Sequence, residues 1–313
     1  MKAVTFTAKG RVTIEFEPIP DCTADTLLLR TLYSGVTNGS ERNKLLGGNY
    51  SRGFPARVGY QRVAEVIACG CQITRFNPGD IVFSGTKHGH VEFDLAREED
   101  LIVTLSQGFD CESGSLLGIA AVALHDVRRA NCGMGDRVLV LGAGPIGLLA
   151  AQAALLVGAQ VTIADVLSDR LQVAQTLGVS STVQASTSTD VAALATNAPY
   201  SLVLECSGAD ILDAVIGRTR GEGLLLPFGR LVLVAGRDRV SYDFNAAQHK
   251  EIAVYHADHF TRNELVETVQ LVVEGKLRVR PLIRDVVPID DAPQFYARLV
   301  SSPQSVLGTV FRW

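Results

Sequence analysis

No C-x-x-C spacing occurs anywhere in this 313-residue chain, and its six cysteines (22, 69, 71, 111, 132 and 206) lie scattered. That excludes a zinc knuckle, argues against a disulfide scaffold, and suits a reducing, cytoplasmic setting. Cys69-Gly70-Cys71 reads as a pair of buried thiols. No apolar run is long enough to span a bilayer; the longest, inside Ile146–Val157, reads as a buried helix. The opening stretch MKAVTFTAKGRVTIEF has no apolar segment of signal-peptide type. Basic residues are not in excess: 29 Lys and Arg face 33 Asp and Glu, a net charge of −4. Neither a nucleic-acid partner nor a membrane surface is expected from that balance. Repeats and low-complexity tracts are missing, and the polar patch Ser180–Thr189 reads as a surface loop. The length gives a prior of two domains, each able to bury a core.

What the chain does have is a strand–turn–helix–strand unit from Asp136 to Asp165. Arg137–Leu141 is a short apolar run of buried-strand type. It breaks into Gly142-Ala143-Gly144-Pro145-Ile146-Gly147, which fits G-x-G-x-x-G. An Ala/Leu-rich helical stretch follows to Val157, Gly158 stands where a left-handed cap forms, and Gln160–Ala164 is a second strand. Asp165 lies 18 residues beyond Gly147, the last glycine of that motif. Gly142 allows the tight turn, Gly144 the close approach of a pyrophosphate, and Gly147 close packing of helix on strand. The helix N-terminus offers free N–H groups to phosphates, and Asp165 can accept both ribose hydroxyls. A dinucleotide site is expected, for NAD rather than NADP, because Asp165 repels a 2′-phosphate and Val166-Leu167-Ser168 supply no cation. Arg170 is expected on the next helix, over the adenine side.

Before this unit, Ala3–Thr7, Val12–Phe16, Thr26–Ser34, Val63–Ala68, Ile81–Phe83 and His90–Asp94 read as short strands. Turn signals such as Asn38-Gly39 and Asn77-Pro78-Gly79-Asp80 separate them. Ser115–Ala130 reads as a linking helix. After Asp165, Asp169–Leu177 reads as a helix, and two strands end in small residues. The loops Cys206-Ser207-Gly208 and Ala235-Gly236 are expected against the nicotinamide half. Asn263–Glu274 reads as an amphipathic helix, and Val286–Ile289 and Val306–Arg312 as strands that complete the first domain. The expected fold is α/β: a discontinuous β domain (1–118 and 258–313) and a doubly wound Rossmann domain (119–257). His88 and His90 are expected at the surface and His125 as a structural helix residue. His256-Ala257-Asp258-His259 is not expected to hold a metal.

The segments YSGVTNGSE (33–41), VGYQRVAEVIACG (58–70), VLVLGAGPIG (138–147), LVLECSGA (202–209) and EGKLRVRPLI (274–283) resemble the medium-chain dehydrogenase/reductase superfamily, the alcohol and sorbitol dehydrogenase relatives, over almost the full length. The resemblance implies a GroES-like β domain, a small-molecule substrate between the domains, and a homodimer paired through the Rossmann sheets. It departs where that family binds zinc. Thr37 stands for the cysteine ligand, Gly59-Tyr60-Gln61 for the Gly-His-Glu motif, and Leu117-Gly118-Ile119 offers no third ligand. No metal is therefore expected. Tyr60, Thr37 and Gln61, with Ser40 and Glu41, become the candidates for handling the substrate oxygen. Glu41 reads as a substrate-facing carboxylate or a partner of Arg42. This resembles a zinc-lacking branch similar to bacteriochlorophyllide hydroxyethyl dehydrogenase and to sugar or cyclitol dehydrogenases. The leading expectation is a metal-free NAD(H)-dependent alcohol/ketone oxidoreductase acting on a hydroxylated molecule. An NADPH-dependent quinone or enoyl reductase and a non-catalytic dinucleotide sensor stay open beside it.

Overall fold

Period-2 patterning and β-branched residues fold the first part of the chain into strands. The structure, a computed structural model, describes residues 1–313. In chain order the elements are β1 (Lys2–Ala8), β2 (Arg11–Phe16), β3 (Leu27–Gly35), α1 (Asn38–Leu45), β4 (Ala56–Arg57), β5 (Arg62–Cys69), β6 (Ile81–Ser84), β7 (Phe93–Ala96), β8 (Ile102–Thr104), α2 (Cys111–Gly114) and α3 (Leu117–Arg129). The nucleotide-type alternation follows as β9 (Arg137–Leu141), α4 (Pro145–Leu156), β10 (Gln160–Asp165), α5 (Ser168–Thr176), β11 (Ser181–Gln184), α6 (Val191–Leu194), β12 (Tyr200–Glu205), α7 (Leu212–Ile216), β13 (Leu225–Leu233), α8 (Phe244–Lys250) and β14 (Ala253–His256). The chain continues through α9 (Arg262–Val273), β15 (Ile283–Pro288), α10 (Ala292–Ser301) and β16 (Gly308–Arg312).

Two compact units result: residues 1–118, 261–275 and 282–313 in one, 119–260 and 276–281 in the other. The first holds a sheet in the order β15-β16-β3-β5-β6-β8, with β7 also on β3, and a small sheet β2-β1-β4. Its core includes Val4, Phe6, Val36, Leu45, Phe295, Tyr296 and Phe311. The second is a parallel sheet in the order β11-β10-β9-β12-β13-β14. Numbered from β9 as the first strand, that is 3-2-1-4-5-6, so the topological switch point lies between β9 and β12. The fold is α/β, a Rossmann-type sheet plus a GroES-like β unit. No helix is long and apolar enough to cross a membrane.

Several local expectations need correction. Asn38-Gly39 is not a turn but the start of α1, whose Glu41 and Leu45 are buried. The Ser180–Thr189 loop contains β11, a polar edge strand on β10. The strand expected at His90–Asp94 forms at Phe93–Ala96, whereas the linking helix expected at Ser115–Ala130 forms as α3, with the short α2 just before it. Helix α10 was not foreseen. Cys71 is exposed and Cys69 partly so, not buried. In the nucleotide unit, buried Lys250 donates from Nζ to the carbonyl oxygens of Ile216 and Leu225, each at 2.8 Å, and of Glu222. That ammonium supplies the donors that buried carbonyls in the α7–β13 loop lack.

Candidate active site

The glycine motif occupies the switch point. Gly142 has φ +95°, a left-handed conformation that an L side chain resists, and a Cβ there would come within 3.1 Å of the Ser207 Cα. A Cβ on Gly147 would overlap the Gly142 carbonyl oxygen. At Gly144, the N-cap of α4, a Cβ would meet nothing within 4 Å. Pro145 begins α4, whose first N–H groups have no side-chain cap, and Ile146 follows half-buried. Open space in front of uncapped helix amides is what a pyrophosphate requires, so the residues fit a dinucleotide.

Asp165 closes β10. Its Oδ2 accepts the Ala143 N–H at 2.7 Å and its Oδ1 the Leu167 N–H at 2.9 Å. Each oxygen keeps a lone pair for a ribose hydroxyl. Arg170, on α5, brings its guanidinium to 3.9 Å from Asp165. At the end of β12, fully buried Glu205 accepts the N–H groups of Ser207 and Gly208, both at 2.8 Å, and the Ser207 hydroxyl. It also pairs with Arg237, which lies just past Ala235 and Gly236. One carboxylate thus shapes both strand-end loops, a role that the sequence reading gave to neither Glu205 nor Arg237. Desolvation pushes the thiol of half-buried Cys206 well above its ordinary value, which disfavours the thiolate.

In the β unit, Gln61 is buried and its Nε2 donates to the Thr37 hydroxyl at 3.4 Å. A Cβ on Gly118 would lie 2.8 Å from the Gln61 Oε1 and 2.9 Å from the Tyr60 ring. The structure therefore gathers Thr37, Tyr60, Gln61 and Gly118 in one place. Tyr60 is half-buried, and Ser40, half-buried on α1, enters none of these hydrogen bonds. Glu41 corrects the expectation most plainly. It is 2% exposed, turned into the core, and does not pair with Arg42, whose Nε donates to the Leu299 carbonyl at 3.2 Å. Its partners are the Thr37 N–H at 2.8 Å, the Tyr296 hydroxyl at 2.5 Å and His90 Nε2 at 3.3 Å. Burial alone would raise the Glu41 carboxyl; His90 and the donated hydrogen bonds outweigh it and hold it below its ordinary value. Burial and the adjacent carboxylate push Tyr296 well above the usual phenol value. His90 is buried, not at the surface.

A second buried cluster sits beside this one. Arg62, 1% exposed, pairs through NH1 with Asp94 at 2.9 Å and donates from NH2 to the Gly89 carbonyl at 2.7 Å. Asp94 also takes the Thr86 hydroxyl at 2.5 Å and faces His88 Nδ1 at 2.7 Å. Burial would raise Asp94, but Arg62 holds it low; the hydrogen bond to Asp94 raises His88. His88 itself is exposed. No group of three His, Cys, Asp or Glu side chains is arranged to hold a metal ion.

A parallel sheet whose glycine turn fits a dinucleotide, in a chain that also folds a GroES-like β unit, defines a dinucleotide-binding scaffold. A family described as zinc-binding dehydrogenase matches residues 145–274, a span that includes none of Thr37, Tyr60, Gln61 and Gly118. Sorbitol dehydrogenase 1 of Saccharomyces cerevisiae is 26% identical over 98% of this chain and 97% of its own length. The 2-dehydro-3-deoxy-L-galactonate 5-dehydrogenase of Pseudoalteromonas atlantica is 30% identical over 66% of this chain and 60% of its own. The fold matches the crystal structure of galactitol-1-phosphate dehydrogenase from Escherichia coli with a TM-score of 0.86 and 21% identity, over all of both chains. Over almost its full length the chain is similar to zinc-type alcohol and sorbitol dehydrogenase-like members of the medium-chain dehydrogenase/reductase superfamily, and those matches support an oxidoreductase.

Proposed function

We propose that this protein interconverts an alcohol and a ketone on a polyol- or sugar-like molecule, using NAD(H) and no catalytic zinc. The observation that carries the reading is the cluster of Thr37, Tyr60, Gln61 and Gly118, residues that the resemblance sets against the zinc-ligand positions of that family. A catalytic zinc site takes three thiolate, imidazole or carboxylate ligands. A hydroxyl, a phenol, a carboxamide and a glycine do not fit it, and no step is routed through a metal. The names of the yeast and Pseudoalteromonas relatives support a hydroxylated substrate.

A bound nicotinamide supplies or accepts the hydride. The protein's task is to orient the carbinol and manage its oxygen. Thr37, whose oxygen accepts from Gln61, has its own proton to donate to a developing alkoxide. Tyr60 can donate and accept, which suits it to pass a proton. Gly144 and the α4 amides would hold the pyrophosphate, and Asp165 the adenosine ribose.

Turnover of polyols, sugars and cyclic ketones with NAD(H) is expected to survive dialysis against EDTA. Tyr60→Phe or Thr37→Ala is expected to slow hydride transfer at least about tenfold, about 1.4 kcal/mol. A rate that EDTA abolishes and zinc restores, or full activity in both variants, overturns the reading. By fluorescence titration, NADH is expected to bind at least about tenfold more tightly than NADPH. Asp165→Ala is expected to narrow that gap; equal affinities in the unaltered protein would refute the assignment of NAD.

A further inference from the structure

Glu41, His90 and Tyr296 take no part in the reaction just described, yet they connect to both segments that carry its oxygen-handling groups. The Trp313 indole N–H donates to Ser34 Oγ at 2.9 Å, and Ser34 Oγ lies 2.8 Å from His90 Nδ1. The assignment that uses each proton once is Ser34 O–H to Nδ1 and His90 Nε2–H to Glu41. The Glu41 Oε2 then accepts from His90 and Tyr296, while Oε1 accepts the Thr37 amide. On its other side His90 donates its backbone N–H to the Val58 carbonyl at 2.7 Å. Its ring lies against Gly59, where a Cβ would sit 2.8 Å away and where φ is +102°. The imidazole thus sets the bend that launches Tyr60 and Gln61, and the carboxylate sets Thr37.

We propose that the Ser34–His90–Glu41–Tyr296 chain is a positioning device that holds Thr37 in register with Tyr60 and Gln61, touching no substrate itself. The inference rests on reading those three residues as the oxygen-handling groups and adds the buried residues that place them. A solvated ion pair could not do this, because side-chain freedom would blur the geometry; full burial and a donor on every side remove that freedom.

Glu41→Gln is the decisive variant. Its carboxamide must aim an NH₂ either at the Thr37 amide or at the His90–Tyr296 pair, so one side of the tie lets go. Tyr296→Phe is the milder companion, removing one donor and sparing the Thr37 bond. Two readouts are taken on both: hydrogen exchange of the peptides spanning 36–45 and 57–62, and steady-state kinetics on a turned-over polyol. In Glu41→Gln, exchange in those peptides is expected to quicken about tenfold or more, with NADH affinity within about twofold of the parent. The kcat is expected to fall about thirtyfold with KM within about threefold, and Tyr296→Phe to show a weaker version of both. Unchanged exchange overturns the tie. Quicker exchange with undiminished kcat also overturns the proposal, since the network is then only a stabiliser. Should the parent protein turn over no polyol, the proposed reaction fails, while the exchange measurement still judges the tie.

Discussion

A Gly147→Ala protein is expected not to hold its nucleotide unit together, while Gly144→Ala, three residues earlier, is expected to fold and lose its dinucleotide. At Gly147 the added methyl overlaps the Gly142 carbonyl oxygen, a backbone atom fixed between β9 and α4. Relief requires moving α4 off the sheet, where Leu148, Leu149, Ala150 and Ala151 are fully buried. Overpacking against backbone belongs with the large destabilisations, and about 4 kcal/mol or more is expected. At Gly144 the methyl meets nothing within 4 Å, and the φ of −72° suits alanine. The cost to the helix is then at most about 1 kcal/mol, from weaker N-capping. The same methyl occupies the space that the pyrophosphate needs, and NADH affinity is expected to fall at least about tenfold. Thermal unfolding and NADH titration on both proteins check the pair. A stable Gly147→Ala, or a Gly144→Ala that binds normally, would show that the cradle is not used as described.

Asp94→Ala is expected to cost about 3–5 kcal/mol, because it leaves the Arg62 guanidinium buried without its counter-charge. Replacing both partners with apolar residues, Arg62→Met with Asp94→Leu, is expected to recover most of that loss, since no charge is then stranded. The pH dependence follows from the two shifts. Asp94 is held below its ordinary value, so its contribution is complete above the unfolded value near about 3.9 and is lost as pH falls through the folded one. His88 is raised by Asp94, so its smaller contribution is complete below about 6.5 and fades as pH rises through the folded value. Unfolding temperatures taken from about pH 3 to about pH 9 should show both limbs in the parent; in Asp94→Ala the His88 limb should vanish and the acid limb should be shallower, since Glu41 and other lowered carboxylates remain. An Asp94→Ala protein as stable as the parent would remove the cluster from any structural role.

The nucleotide unit was legible because each part follows a local rule: apolar runs for β9 and β12, helical periodicity for α4, glycines where only glycine fits. The pieces that escaped lacked such a signal or carried a misleading one. In α1, Asn38-Gly39 has turn chemistry and its exposed faces are polar throughout. In β11, Ser-Thr-Val-Gln buries only Val183, as an edge strand can. Helix α10 did carry a signal: Ala292, Phe295, Tyr296 and Leu299 stand at i, i+3, i+4 and i+7, and all are buried. The zinc-ligand positions could be compared one by one, so Thr37, Tyr60 and Gln61 were within reach. The burial of Glu41 was not, because its partners lie 49 and 255 residues away, and no local pattern reports such pairings.

The order in which the ribosome releases this chain has a bearing on when it can work. The Rossmann sheet is made from one continuous stretch and can close as soon as residues 119–260 have emerged. The β unit cannot, because β16 must slot between β15 and β3, and Tyr296 and Trp313 must reach Glu41 and Ser34. Synthesis therefore completes the Rossmann sheet first, and the groups proposed to handle the substrate oxygen come to order only with the final segment.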